Sequence, residues 1–229
     1  MLTLLTATGA RHEAWAICER LMMRQTYTGP VHWIIVDDGP DAQPQPLAQD
    51  HWDVSVLRPN PRWQPGQNTQ ARNLAAGLAV ISDSASVVVI EDDDWYSPEY
   101  LSAVAFWLET HELVGEGWAR YYHVGRRVWR DCGNSQHASL CSTAVRGGAL
   151  ARLREVVGEH PTSIDLELWR AFSGPRKLQN TGLCVGTKGL PGRGGIGAGH
   201  RMTGRRDRDL RTLRQWIGDD ADLYRRFGQ

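Results

Sequence analysis

Lysine is nearly missing from this chain of 229 residues: of 26 basic side chains only Lys177 and Lys188 are lysine, and the rest are arginine. Other scarcities exclude whole classes. The four cysteines, Cys18, Cys132, Cys141 and Cys184, are too scattered for a Cys-x-x-Cys zinc site and too few for a disulfide scaffold, which suits a reducing compartment. Acidic and basic residues number 26 each, so the formal net charge is zero and bulk attraction to acids or bases is excluded as a driving force. No apolar run approaches the ~20 residues that a membrane-spanning helix needs, and the opening residues lack the basic leader and long apolar segment of a secretion signal. The chain shows no internal repeat, linker or break in composition. With 41% hydrophobic and 23% charged residues, the expectation is one cytoplasmic domain over 1–229 without an integral membrane segment.

What is present is an alternation of strand and helix patterns over the first 110 residues. Leu2 to Ala7, Val31 to Val36, Asp53 to Leu57 and Ser86 to Ile90 read as strands, whereas Arg11 to Arg24 and Thr69 to Ile81 carry helical spacing. Ser97-Pro98-Glu99 supplies a helix start for a segment running to about Thr110. This order predicts an α/β fold with a mostly parallel sheet between helices, and a ligand site beyond the carboxyl ends of its strands. Two strands end in acids there, at Asp37-Asp38 and at Glu91-Asp92-Asp93-Asp94. The second half is less regular. Trp118 to Val124 and Arg127 to Cys132 read as a hairpin, Gly148 to Val157 and Ile164 to Phe172 as helices, Gly186 to Gly199 as a glycine-rich loop or lid, and Asp207 to Ile217 as an Arg-rich amphipathic helix.

Four adjacent carboxylates at one strand tip repel one another and call for a cation. Mg²⁺ and Mn²⁺ take oxygen ligands and keep positions open for phosphates, so the run points to metal-assisted chemistry on a nucleoside diphosphate; the plainer reading is an acidic solvated turn. On an extended segment alternate side chains share a side, so either Glu91 with Asp93 or Asp92 with Asp94 is expected to face the site.

Taken in order, Leu4 to Arg11, Ile35-Val36-Asp37-Asp38-Gly39, Ala71-Arg72-Asn73, Ile90-Glu91-Asp92-Asp93-Asp94-Trp95 and Ile164-Asp165-Leu166-Glu167-Leu168-Trp169 resemble successive motifs of the family 2 glycosyltransferases of the GT-A fold. Two positions depart from the pattern: Glu91 replaces the first Asp of the metal signature, and Ile164 replaces the Glu before the base. The resemblance implies transfer of a sugar, with inversion, from a nucleotide-diphosphate donor, a UDP-sugar foremost, to an acceptor hydroxyl, using Mn²⁺ or Mg²⁺. It implies a nucleotide-sugar-binding half over 1–110 and an acceptor-binding half over 111–229.

On that resemblance Asp165 is the catalytic base, and Asp93 holds the metal with His200, a late histidine ending the glycine-rich loop. Glu91 and Asp92 lie at the donor. Asp37, Asp38, Thr6, Thr8, Arg11, Arg72 and Asn73 contact the nucleotide, and Lys188 and Arg193 the diphosphate. Asp165 would otherwise be a helix cap, and Trp95 and Tyr96 either stack on a sugar or pack beside the acids. The acceptor is left open between a glycan and a nucleic acid with a hydroxylated base, because Arg201, Arg205, Arg206, Arg208, Arg211 and Arg214 suit a polyanion unless they form a solvated face balanced by Asp207, Asp209, Asp219, Asp220 and Asp222. The rival functions are a sugar-nucleotide nucleotidyltransferase and a non-catalytic sugar-nucleotide-binding module.

Overall fold

The computed structural model describes residues 1–44, 47–195 and 198–228; positions 45–46 of the Pro/Gln-rich loop and 196–197 of the glycine-rich run lie outside the described residues. The chain runs β1 (Leu2–Thr8), α1 (His12–Met23), β2 (Val31–Asp37), β3 (Trp52–Leu57), α2 (Gln70–Leu78), β4 (Ser86–Val89), β5 (Trp95–Tyr96), α3 (Tyr100–Trp107) and β6 (Leu113–Glu116). It continues through β7 (Trp118–His123), β8 (Val128–Gly133), β9 (Ala144–Val145), α4 (Gly147–Glu159), α5 (Ile164–Ala171), β10 (Arg176–Gln179), β11 (Cys184–Lys188), β12 (Arg205–Arg206) and α6 (Arg211–Ile217), and ends in tight turns over Gly218–Phe227.

Seven strands form the main sheet in the order β10-β6-β9-β4-β1-β2-β3. The β4-β1-β2-β3 portion is parallel, and the short β9 is antiparallel to both its neighbours. Strand alternation divides the core. Trp33 and Ile35 face α1 and α3 with Trp15, Leu21 and Leu101, whereas Ile34 and Val36 face α2 and α4 with Leu74, Leu78 and Leu153. Both faces of β2 are therefore buried, which is why Val31 to Val36 is an unbroken apolar run apart from His32.

The second sheet, β12-β8-β7-β11-β5, shares the α1-side core through Tyr122, Cys184 and Val185. The sequence pattern does not announce β6, β9, β10 or β12, because such short strands carry too few periods to register. Residues Gly186 to Lys188, expected in the glycine-rich loop, instead complete β11 and pair with Tyr121 to His123. The expected helix from Asp207 starts only at Arg211. Leu210 has φ 61°, and Asp207, 4% exposed, accepts from the Thr212 and Leu213 amides as a cap. Among the described residues no helix is long and apolar enough to cross a membrane.

Candidate functional site

Parallel register sets Thr8 level with Asp37, and Leu5 level with Val89, so the chain leaving β4 emerges beside the turn after β1. Gly9 permits that approach: at φ 141° it lies so close to the next loop that an added Cβ would stand 2.5 Å from the Gly39 amide. A cavity of about 570 Å³ opens at these tips. The loops after β1 and β4 and the start of α2 line it with Thr8, Arg11, Asn73, Glu91, Asp92 and Asp93, the chain from β11 onward with Lys188, Arg193 and His200, and the β7–β8 hairpin and the segments before α4 and in α5 with Tyr121, Arg130, Cys132, Ser139 and Asp165.

The acidic run is a turn at its centre, with the Asp94 amide bonded to the Glu91 carbonyl, so strand alternation does not choose its ligands. Glu91, Asp92 and Asp93 all face the cavity. Asp94 points away, accepting from the Thr187 amide at 2.8 Å and the Lys188 ammonium at 2.7 Å. Of the two spaced pairs anticipated from extended geometry, Glu91 with Asp93 faces the cavity and Asp92 with Asp94 does not, but the turn brings Asp92 to the cavity as well. Asp92 accepts from the Thr8 hydroxyl at 2.7 Å, and Glu91 from the Gln70 amide at 2.7 Å. Arg11, just ahead of α1, reaches Asp92 at 3.0 Å and Asp93 at 2.7 Å. Lys188 stands 3.4 Å from Asp93 and 3.6 Å from Glu91.

Four carboxylates thus share two cations, and the titration of the three aspartates reflects the deficit. Burial outweighs Arg11 and pushes Asp92 up to about 6, and it drives Asp94 up despite Lys188. Burial acts on Asp93 too, but Arg11, Lys188 and His200 overcome it and hold Asp93 below the usual carboxylate range. The His200 ring is pushed down to about 4 by burial, with Lys188 and Arg11 adding to the fall, so it is neutral near pH 7 and free to offer a nitrogen lone pair.

Asp93 and His200 are the residues that could hold a divalent cation, with Arg11 already seated on Asp92 and Asp93. Asp92 Oδ1 and Asp93 Oδ2 are buried and lack a hydrogen bond, their contacts with Arg11 being ion pairs of poor angle. His200 Nε2 lies 3.7 Å from Asp93 Oδ2, and two atoms bound to one small ion at about 2.1 Å stand no more than ~4.2 Å apart. His200 reaches this place because Gly195 makes room, an added Cβ there falling 1.9 Å from Nε2. Glu91, Asp94 and Cys141 also converge, with donor atoms within 4.8 Å of one another, but the Lys188 ammonium already stands against that group, 2.7 Å from Asp94 and 3.6 Å from Glu91.

Asp165 also lines the cavity, half-buried in the first turn of α5, and forms no ion pair among the described residues. Burial raises its pKa, opposed by the Leu166 amide. Ser163, at φ 58°, turns the chain abruptly into this helix beside the cavity.

Several anticipated donor contacts lie off the wall. Thr6 is fully buried and its hydroxyl accepts from the Trp33 indole at 3.0 Å. Asp37 is committed to Arg58 and to the amides of Gly39 and Gln43. Asp38 binds Arg72 at 2.8 Å and Arg193 at 2.7 Å, so Arg72 is an ion-pair partner at the rim. Arg193 is the tether of the glycine-rich segment: its amide donates to the Ala10 carbonyl and its guanidinium also reaches Thr69. Trp95 and Tyr96 are packing residues, the first donating to Asp220 at 2.8 Å and the second bonding to the Cys141 carbonyl and the Glu91 amide. Sequence reading missed Gln70, Tyr121, Arg130 and Thr187; alternation along the β7–β8 hairpin was the available signal for Tyr121 and Arg130.

The sequence matches no protein-family model and no curated protein. The fold does have counterparts among solved structures. TarS of S. aureus, residues 1-349 with UDP-GlcNAc, superposes with a TM-score of 0.54 at 12% identity over 86% of this chain and 60% of that one. The same TarS segment with UDP gives 0.54 at 14% identity, over 82% and 60%. A longer TarS structure gives 0.53 at 12%, over 82% and 37%. The chain therefore spans under two thirds of the TarS chains it matches, and at these identities the likeness shows a shared GT-A fold.

Proposed function

We propose that this chain is a metal-dependent, inverting glycosyltransferase that moves a sugar from a nucleoside-diphosphate donor, a UDP-sugar, to an acceptor hydroxyl. The observation that carries this reading is one cavity lined both by a cation-short acid cluster and by a carboxylate, Asp165, that forms no ion pair among the described residues. TarS complexes with UDP and UDP-GlcNAc on the same fold support the donor half.

Asp165 takes the proton of the acceptor hydroxyl. Its raised pKa makes it a stronger base than an exposed aspartate, while the first turn of α5 favours its charged form. One face of the sugar is then open to attack and the diphosphate leaves on the other, so a single displacement inverts the anomeric carbon. Asp93 and His200 would hold Mn²⁺ or Mg²⁺, with Asp92 beside them, and the ion would offset charge developing on the leaving diphosphate. Lys188 and Arg11 hold the acids in place and keep Asp93 ionised, and they add positive potential where the diphosphate departs. Arg193 ties the segment after β11 across the donor side, shielding it from water.

For the acceptor, the reading carries forward a glycan hydroxyl or a hydroxylated DNA base. Arg211 and Arg214 are engaged by Asp209 and Asp222, which removes them from a polyanion track, whereas Arg201, Arg205, Arg206 and Arg208 are exposed and form no ion pair among the described residues.

The test is thermal shift with UDP, GDP, dTDP and their sugars, with and without Mn²⁺, on wild type and Asp93→Ala. Stabilisation by a nucleotide that needs metal and is lost in the variant is the expected result. Absence of any nucleotide effect on wild type, or release of pyrophosphate in place of nucleoside diphosphate during turnover, would overturn the assignment.

A further inference from the structure

Four cationic side chains line the cavity among the described residues, and three are committed to carboxylates: Arg11 to Asp92 and Asp93, Lys188 to Asp93, Asp94 and Glu91, and Arg193 to Asp38. The fourth, Arg130 on β8, is exposed and has neither an ion pair nor a side-chain hydrogen bond among the described residues. Among the cavity-lining carboxylates, Asp165 alone has no cation. The acids of the strand tip and their cations are bonded to one another, whereas Asp165 and Arg130 line the same cavity without an ion-pair partner among the described residues.

Arg130 is not a loosely placed surface residue. Alternation along β8 turns Arg130 and Cys132 to the cavity and Trp129 and Asp131 to the opposite face, where Trp129 meets Trp216 edge-on at 5.5 Å and Asp131 accepts from the Trp118 indole at 2.7 Å. Tyr121, directly across the ladder from Arg130, is fixed by a hydrogen bond to Ser139. The packed rear face and this neighbour hold the strand so that Arg130 faces the cavity. Arg206 lies opposite Val128, on the same face as Arg130, and it too has no acidic partner among the described residues. Two unpaired guanidinium groups along one face suit a phosphate, with its greater charge and its fit to the guanidinium fork, better than a single carboxylate.

We infer that the acceptor carries a phosphate group held by Arg130 while its hydroxyl is presented to Asp165. The inference rests on the glycosyltransferase reading for the role of the hydroxyl, but phosphate recognition at Arg130 is testable apart from it. Glycerol 1-phosphate (a phosphomonoester), an eight-residue thymidine DNA strand (phosphodiesters), glyceric acid and glycerol are titrated calorimetrically into wild type, Arg130→Gln and Arg130→Lys. Each protein is first saturated with UDP and Mn²⁺ so that the donor half is filled.

The expected result is binding of at least one phosphate-bearing probe, weakened about tenfold or more in Arg130→Gln and less in Arg130→Lys, with glycerol silent. Binding of the phosphomonoester alone assigns a small phosphorylated acceptor, and binding of the DNA strand alone a nucleic-acid one; both support phosphate recognition. Equal binding by wild type and Arg130→Gln, glyceric acid binding as tightly as glycerol 1-phosphate, or no phosphate probe bound by wild type would overturn it. Failure of wild type to bind UDP would strike the donor reading instead, and the same titrations without UDP would still decide the role of Arg130.

Discussion

Replacing Lys188 with methionine removes the ammonium from beneath three acids while keeping most of the apolar bulk of the side chain. Lys188 is 6% exposed, and its Nζ lies 2.7 Å from Asp94, 3.4 Å from Asp93 and 3.6 Å from Glu91. Breaking a buried pair while leaving its carboxylate behind costs about 3–5 kcal/mol, because the remaining charge has lost both water and partner. At about 2–4 °C per kcal/mol for a chain of this size, the expected fall in Tm is about 6–20 °C.

The pH dependence has a definite sign. Asp94 already titrates above the ordinary range because burial outweighs Lys188, and loss of the ammonium raises it further. A carboxylate with a folded pKa above its unfolded value of about 3.9 contributes fully below the unfolded value and loses that contribution as pH rises through the folded one. The deficit of Lys188→Met is therefore larger above the folded pKa of Asp94 and shrinks as pH falls below it. Urea unfolding in EDTA at about pH 5 and about pH 7.5 measures this directly. Mn²⁺ should recover part of the loss at the higher pH, and a second change, Asp94→Asn, should recover part without metal. A deficit under about 1 kcal/mol at neutral pH, or one identical at both pH values, would refute the buried-cluster electrostatics.

Asp165→Asn is expected to lower turnover by about 10²- to 10⁴-fold while leaving UDP affinity intact, as coupled release of nucleoside diphosphate and calorimetry would show. In wild type the acid limb of the rate profile, on which activity rises with pH as Asp165 ionises, should lie above the usual aspartate range because burial raises that group. Thr6→Val should lose about 1–3 kcal/mol in chemical denaturation, since the buried Trp33 indole loses its acceptor, yet bind donor as wild type does. Asp220→Ala removes the acceptor shared by Arg24 and Trp95 and should cost about 1.5–3 kcal/mol. Because Asp220 has a depressed pKa, held down against burial by Arg24 and Trp95, its contribution is present above the unfolded value and is lost as pH falls through the folded one; the gap between variant and wild type in acid titrations should close accordingly.

The parallel sheet and the place of its acids were legible in the sequence because both are local properties. Val87 to Ile90 is an apolar run of β-branched residues that suits a strand buried on both faces, and the carboxylates that follow cannot enter the core unpaired, so they mark its tip. Asp93, Asp165, Lys188 and His200 were read on residue type, spacing and motif resemblance, and the cavity brings all four together. Tertiary structure alone decided which acids turn inward, since the tight turn at Asp92 and Asp93 sends Asp94 to Thr187 and Lys188, residues more than ninety positions away. It also decided that Thr6 serves the core, that Asp37 and Asp38 hold arginines, and that Arg130 lines the cavity without an ion-pair partner among the described residues. Propensity and period act within a few residues along the chain, whereas the partner of a buried charge is whatever folding brings within about 4 Å, and no local pattern encodes that distance.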